Sequence, residues 1–166
     1  MARDTVDEIA DAWGRELPGV AGSELELSKR AARLAALLNA PVEAVLARLG
    51  LTKAEYDILA VLRASGKPYQ LRPSVLTQRL LLTSGGTSNV LRRLAAADLI
   101  KREPDPSDAR SSWVRLSTRG VKVAEEAVHA ATAAQAAALR DVAPQTARAA
   151  IDALRKVLIA LGDTPT

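Results

Sequence analysis

The sequence predicts a mainly helical fold of the α+β class, with long helices at both ends of the chain and one β-hairpin. Apolar residues recur every three or four positions through most of the 166 residues, which is the spacing of helices with one buried face. Aromatic residues make up only 2% of the chain and Phe is absent, so Leu, Val, Ile and Ala fill the core. Residues 99–103 instead have the residue types of a strand, and residues 112–116 form a β-rich run with alternation, as paired strands do.

The composition limits the classes of protein to which this chain can belong. A hydrophobic content of 48% with 25% charged residues argues against wholesale disorder. The formal net charge of +4 is compatible with a polyanionic partner. The N-terminal residues carry no apolar leader and no run approaches the roughly 18 apolar residues of a membrane span. We therefore expect a cytoplasmic protein without a membrane partner.

The sequence offers no chemistry for an enzyme. There is no Cys, which excludes disulfides, thiolate metal sites and thiol redox sensing. The P-loop, G-x-S-x-G and H-E-x-x-H motifs are absent, and the single histidine, His129, lies in an Ala-rich helical stretch. We expect no catalytic residues, no cofactor and no metal site.

The N-terminal part is predicted to form two helices. Residues 4–17 place apolar side chains, including Trp13, at helical spacing. Ser23, followed three positions later by Glu26, predicts a capping box at the start of a longer helix. Pro41 removes a backbone donor from that second helix, so we expect a kink near residue 40.

A helix, a turn and a further helix are predicted next. Thr52 and Glu55 form a capping box that opens a helix over residues 53–64. We predict that the inward face of this helix consists of Tyr56, Leu59, Ala60 and either Leu62 or Arg63. Pro73 is suited to the first position of a short helix, and a second helix over residues 83–97 follows. This order predicts a helix-turn-helix, whose second helix lies in the DNA major groove.

The helix over residues 83–97 has residue types that suit this role. Thr83 or Ser84 can cap it, and Gly85 and Gly86 remove side chains where the backbone approaches a phosphate. An apolar stripe anchors it through Val90, Leu91 and Leu94. Hydrogen-bonding side chains project elsewhere, namely Ser88, Asn89, Arg92 and Arg93. The alternative is an ordinary capped surface helix with solvated arginines.

Residues 99–117 are predicted to form an antiparallel hairpin, the wing, with a polar tip at residues 104–110. Arg110 is able to reach a narrow minor groove, and Asp108 is placed to orient its guanidinium. The alternative is an exposed loop ion pair.

Two helices are predicted at the C-terminal end, over residues 119–141 and 145–162. The second carries an apolar seam at alternating steps of four and three, made by Ala147, Ile151, Leu154, Leu158 and Leu161. A second copy of the chain is the economical partner for this seam and for residues 4–17. The alternative is an intramolecular hairpin between the two C-terminal helices.

The order of elements resembles the MarR (multiple antibiotic resistance regulator) family of winged helix-turn-helix transcriptional regulators over nearly the whole chain. The resemblance is carried by three stretches: 51–59 (LTKAEYDIL), 84–89 (SGGTSN), and the Asp108-Ala109-Arg110 wing followed by 116–120 (LSTRG). It implies homodimers that bind palindromic double-stranded DNA in promoters. It also implies a small, often anionic or phenolic, organic effector that loosens the DNA.

The N-terminal helix resembles the urate-responsive branch of that family. The branch implies a ligand site formed by Trp13, Asp57 and Arg102, whereas Val90 occupies the position of a ligand-sensing arginine. Arg72 stands where the family often has a Thr or Ser cap before Pro73.

These observations predict three segments: 1–50 for dimerisation and the ligand cleft, 51–118 for DNA binding, and 119–166 for dimerisation. The predicted DNA-binding residues are Ser74, Thr83, Ser84, Gly85, Thr87, Ser88, Asn89, Arg92, Arg93, Asp108, Arg110 and Ser111. The predicted function is a ligand-responsive repressor, and the alternative is an architectural DNA-binding protein without an effector.

Overall fold

The computed structural model describes residues 2–80, 83–105 and 108–164, without the side chains of residue 84 and residues 108–111. In these ranges the chain forms seven helices and three strands. In order they are α1 (Thr5–Glu16), α2 (Ser23–Arg48), α3 (Lys53–Ala64), β1 (Gln70–Leu71), α4 (Pro73–Arg79), α5 (Ser84–Ala96), β2 (Ile100–Asp105), β3 (Asp108–Leu116), α6 (Thr118–Ala138) and α7 (Pro144–Ala160). The predicted mainly helical fold is confirmed.

The core lies where α2 to α6 meet the sheet. The largest fully buried side chains come from nearly every element around it, and include Leu46, Ile58, Leu59, Leu62, Leu76, Leu91, Leu94 and Val114. Ala124, Ala127 and Ala131 form the buried face of α6. Their short side chains allow α2 and α3 to pack closely against α6, and the contact of α2 with α6 is the most extensive between helices.

The predicted hairpin is part of a small antiparallel sheet with strand order β1-β3-β2. In the β2–β3 pairing Ile100 lies opposite Leu116 and Pro104 opposite Ser112, and the register becomes irregular between Pro104 and Asp105. β1 was not predicted, because a strand of two residues is too short to show alternation.

The N-terminal helices form as predicted, but α2 is capped differently. Gly22 occupies its N-cap and makes no side-chain cap hydrogen bond, so the predicted capping box of Ser23 and Glu26 is wrong. The Glu26 carboxylate instead accepts a hydrogen bond from Arg30, at 2.6 Å. α2 remains one helix through Pro41.

Arg30 also ties α2 to the start of α1. Its guanidinium donates to the carboxylates of Asp4 and Asp7 at 2.9 and 2.8 Å. Desolvation acts to raise the pKa of Asp4, but the backbone N–H of Asp7 and the Arg30 guanidinium outweigh it and hold that pKa below its usual range.

The α3 capping box of Thr52 and Glu55 is confirmed, whereas the predicted inward face of that helix is partly wrong. The buried residues of α3 are Glu55, Ile58, Leu59 and Leu62. Tyr56 is only partly buried against the core, and the Lys53 ammonium lies 5.8 Å from the centre of its ring.

The C-terminal helices do not form the alternative hairpin. α6 ends at Ala138, and α7 makes no extensive contact with any other described element. None of the α7 residues described is buried, and large apolar side chains such as Ile151 and Leu158 are 54% and 47% exposed.

Within the described ranges no single helix is long and apolar enough to cross a membrane. Only α2 and α3 taken together pass a test of length and composition, and they are bent by 89° at their junction.

Candidate DNA-binding interface

The start of α5 is shaped by Thr83 and the two glycines at positions 85 and 86. The Thr83 side chain caps the helix by accepting a hydrogen bond from the backbone N–H of Gly86 at 3.1 Å. A Cβ on Gly86 would lie 3.0 Å from the Thr83 hydroxyl oxygen, so the glycine leaves room for this cap. A Cβ on Gly85 would meet no atom within 4 Å, which leaves the backbone at this turn accessible. The side chain of Ser84 lies outside the described residues.

The inner face of α5 is formed by Leu91, Leu94 and, unexpectedly, Thr87. Thr87 is 2% exposed, and its hydroxyl donates to the Thr83 carbonyl at 3.0 Å and accepts from the Thr77 hydroxyl at 3.2 Å. It lies one helical turn before Leu91 and therefore on the same buried stripe. The predicted contact of Thr87 with DNA is corrected: this residue joins α5 to α4.

The outer face of α5 is exposed and polar, and it includes Ser88, Asn89 and Arg92. The Arg92 guanidinium donates to the Asn89 side-chain oxygen at 2.6 Å, so an amide and a guanidinium lie side by side. Asn forms bidentate hydrogen bonds with adenine and Arg with guanine in the major groove. This face therefore carries the two groups best suited to recognise bases.

Arg93 points to α3 instead. Its guanidinium lies 3.1 Å from a carboxylate oxygen of Glu55, whose side chain is 8% exposed. The other Glu55 oxygen accepts the backbone N–H and the hydroxyl of Thr52, each at 2.8 Å. Arg93 thus neutralises a buried carboxylate and anchors α5, which leaves Arg92 as the better candidate for base contact.

The remaining predicted DNA-binding residues lie at two further places. Ser74 is exposed in the first turn of α4. Asp108, Arg110 and Ser111 belong to β3, but their side chains lie outside the described residues. Their contact with DNA stays a prediction.

The predicted ligand residues are distributed over three elements. Trp13 is 45% exposed on α1, Arg102 is exposed on β2, and Asp57 on α3 accepts hydrogen bonds from Lys53 at 2.7 Å. Burial, and then the Asp57 carboxylate, raise the pKa of the Tyr56 phenol beside it.

A cavity of about 720 Å³ lies between α1, α2 and α7, and none of these three residues lines it. Its walls are mainly apolar, with Arg3, Arg30 and Arg33 among the lining residues. The convergence of Trp13, Asp57 and Arg102 on one ligand stays a prediction.

Three elements together define the class of this protein. α4 and α5 form a helix-turn-helix, and the β2–β3 hairpin follows α5 directly as a wing. This is the architecture of winged helix-turn-helix DNA-binding proteins. Residues 49–111 match the model of the MarR family, so the matched segment spans α3 to the wing. Over this segment the chain is similar to the MarR family, and the curated relative that it matches is a transcriptional regulator.

Comparisons with individual proteins give the same similarity. The HTH-type transcriptional regulator PecS of Dickeya dadantii (strain 3937) is 29% identical over 115 residues, which are 69% of each chain. A mutant MarR of E. coli complexed with operator DNA superposes with a TM-score of 0.73 at 20% identity, covering 88% of this chain and 97% of that one. AbsC of Streptomyces coelicolor, a MarR family regulator, has a TM-score of 0.74 at 23% identity, with 86% and 97% covered.

Proposed function

We propose that the chain is a repressor that binds a palindromic operator as a homodimer and leaves the DNA when a small organic anion binds. One observation carries the proposal: α5 is anchored by a buried face and presents Ser88, Asn89 and Arg92 on its exposed face. A helix of this kind fits the major groove, where bases can be distinguished by hydrogen bonds. Operator DNA in the structure of the mutant E. coli MarR supports the same use of this fold.

The exposed apolar residues support a dimer. Large side chains remain uncovered on α2 and α7, among them Leu34, Leu37, Ile151, Leu158 and Ile159. Dimers of helix-turn-helix proteins bind half-sites about one turn of DNA, or roughly 10 bp, apart. The predicted operator is therefore a pseudo-palindrome with that spacing.

Operator selection from random duplexes tests the DNA-binding proposal, and two variants separate its parts. Asn89→Ala is expected to lose about 1–3 kcal/mol of discrimination at one base position per half-site, since it removes a base contact. Arg110→Ala is expected to weaken binding to all sequences and to reduce the salt slope by about one per arm. Fluorescence titration of selected and scrambled duplexes at several salt concentrations measures both effects.

Asn39→Ala is the matched control, because Asn39 is the only other asparagine in the chain and lies on α2, away from the DNA-binding helices. Asn39→Ala should leave operator affinity and DNA sequence preference unchanged. An unaltered sequence preference in Asn89→Ala would count against α5 as the base-recognising helix.

The proposed effector site uses Trp13, Asp57 and Arg102. Arg102 would donate a charge-assisted pair of hydrogen bonds to a carboxylate or enolate, and Trp13 would provide a flat stacking surface. Asp57 would repel the bound anion and thereby displace the DNA-binding helices. An effector acts in this way only if it binds the released form better than the DNA-bound form.

Arg102→Ala is expected to retain operator binding and to lose the effector response. A coupling of about 3 kcal/mol between effector and operator binding would lower the operator affinity of the native protein about 150-fold. The effector should leave the operator affinity of the variant unchanged. The measurement is operator affinity with and without urate and a panel of aromatic carboxylates. Lys101→Ala, an adjacent exposed cation on β2, should respond as the native protein does.

If the effector still releases Arg102→Ala from the operator at the concentration that releases the native protein, the effector site lies elsewhere. If neither the panel nor a metabolite extract lowers the affinity of the native protein, the architectural alternative without an effector is favoured instead.

A further inference from the structure

Arg72 occupies the N-cap of α4 but makes no side-chain cap hydrogen bond. A guanidinium has only donors, so it is unable to accept the free N–H groups of a helix start as Ser or Thr does. Capping therefore does not account for an arginine at this position, which is the departure noted in the sequence.

The side chain of Arg72 joins the helix-turn-helix to the wing. Its Nη2 donates to Oδ2 of Asp105 at 2.6 Å, and the Asp105 side chain is only 2% exposed. The guanidinium carbon lies 5.1 Å from the centre of the Trp113 ring. Asp105 ends β2 and Trp113 lies in β3, so Arg72 contacts both strands of the wing from the start of α4.

These contacts are strong ones. A planar guanidinium both pairs with a carboxylate and stacks on a ring, and the Arg72 guanidinium makes both contacts here. Nε of Arg72 is buried and has no hydrogen-bond partner among the described residues, whereas Nη2 pairs with Asp105 and the guanidinium lies against the Trp113 ring.

The position of these contacts along the wing is informative. The β2–β3 register becomes irregular between Pro104 and Asp105, where Arg72 binds. Regular pairing therefore does not by itself set the direction of the hairpin beyond this point. The tip of the wing, with Arg110, follows immediately.

We infer that Arg72 is a positioning residue for DNA binding: through Asp105 and Trp113 it fixes the wing relative to α4 and α5. The inference rests on the proposed contact of the wing with DNA. If the wing is held at the correct angle, its tip reaches the minor groove while α5 occupies the major groove. If Arg72 is lost, α5 still binds but the wing contributes less.

A double-mutant cycle tests this. Arg72→Gln is expected to lower operator affinity about tenfold in the native background and less than about twofold in the Arg110→Ala background, because both variants remove the same contribution. Arg72→Gln should also reduce the salt slope by about one per arm, as Arg110→Ala does. Asp105→Asn, which removes the charge that pairs with Arg72, should lower operator affinity and the salt slope in the same direction.

Arg63→Gln is the matched control. Arg63 also pairs with a carboxylate, that of Glu125 at 2.8 Å, and also packs on a ring, that of Tyr69 at 4.7 Å, but it joins α3 to α6. Its exposure is similar, at 35% against 42% for Arg72. The same loss of affinity and salt slope in Arg63→Gln would indicate a general loss of stability and overturn the inference.

The effect of Arg72 on the wing can also be measured directly, without DNA. The chain lacks Cys, so a nitroxide label on Ser112→Cys reports the mobility of β3 at one site. The label should become more mobile when Arg72→Gln is added, with melting of the protein as a whole still cooperative.

The possible failures are distinguishable. If Arg110→Ala does not weaken binding, the proposed wing contact is wrong. If it does, but Arg72→Gln costs the same factor in both backgrounds or leaves the label equally immobile, the role of Arg72 is wrong.

Discussion

Gly120→Ala is expected to lower the free energy of unfolding by about 3 kcal/mol, because overpacking against backbone atoms has no cheap relief. A Cβ on Gly120 would lie 1.9 Å from the carbonyl oxygen of Leu99 and 2.9 Å from its carbonyl carbon. That oxygen also accepts the N–H of Ser117, and the Ser117 hydroxyl in turn accepts the N–H of Gly120 at 2.8 Å. Relief of the clash therefore has to separate α6 from the start of the wing.

Chemical denaturation monitored by circular dichroism measures the loss. Gly85→Ala is the control, since a Cβ at that helical position meets nothing within 4 Å and should stabilise the helix by up to about 1 kcal/mol. Equal midpoints for the two variants would show that the close approach at Gly120 is not a constraint.

Ile151→Glu combined with Leu158→Glu is expected to convert the proposed dimer into a monomer and to lower operator affinity at least about 100-fold, because two linked half-site contacts become one. Each of these side chains is about half exposed in the single chain. Covering such a residue is worth about 1.5–3 kcal/mol, and burying a carboxylate in its place is strongly unfavourable. The proposed interface comprises residues 4–17 and 121–162.

Light scattering at micromolar concentration gives the oligomeric state, and circular dichroism gives the helicity. Gln145→Glu with Lys156→Glu places two carboxylates on the opposite side of α7 and should leave the dimer intact. A native protein that is monomeric and fully helical under these conditions would contradict the dimer.

Some differences between expectation and structure have a common cause. Thr87 carries a polar side chain of the kind used for DNA contact, yet it lies on the buried stripe with Leu91. The buried face of α3 also differs from the prediction, since it includes Glu55 and Ile58 and not Tyr56. Residue type suggests whether a side chain can face solvent, but the neighbouring elements decide which part of a helix surface they cover.

The sequence by itself determined the features that depend on neighbouring residues. The Thr52–Glu55 capping box, the Thr83 cap and Pro73 at the first turn of α4 place helix boundaries, because each acts on backbone groups within a few positions. The alternation in residues 112–116 and the turn residues at 104–110 likewise predict the hairpin, whose strands pair as expected. These local signals are enough to predict a helix-turn-helix followed by a wing.

Only the tertiary structure decided which partners the charged side chains have. Arg92 and Arg93 are adjacent and chemically identical, but Arg93 is paired with Glu55, 38 positions earlier in the chain by number, and Arg92 with Asn89 on the same exposed face. Arg72 pairs with Asp105, and Gly120 lies against Leu99, also across long separations in sequence. Such contacts leave no periodic or local pattern, because they arise when packed elements bring distant residues together.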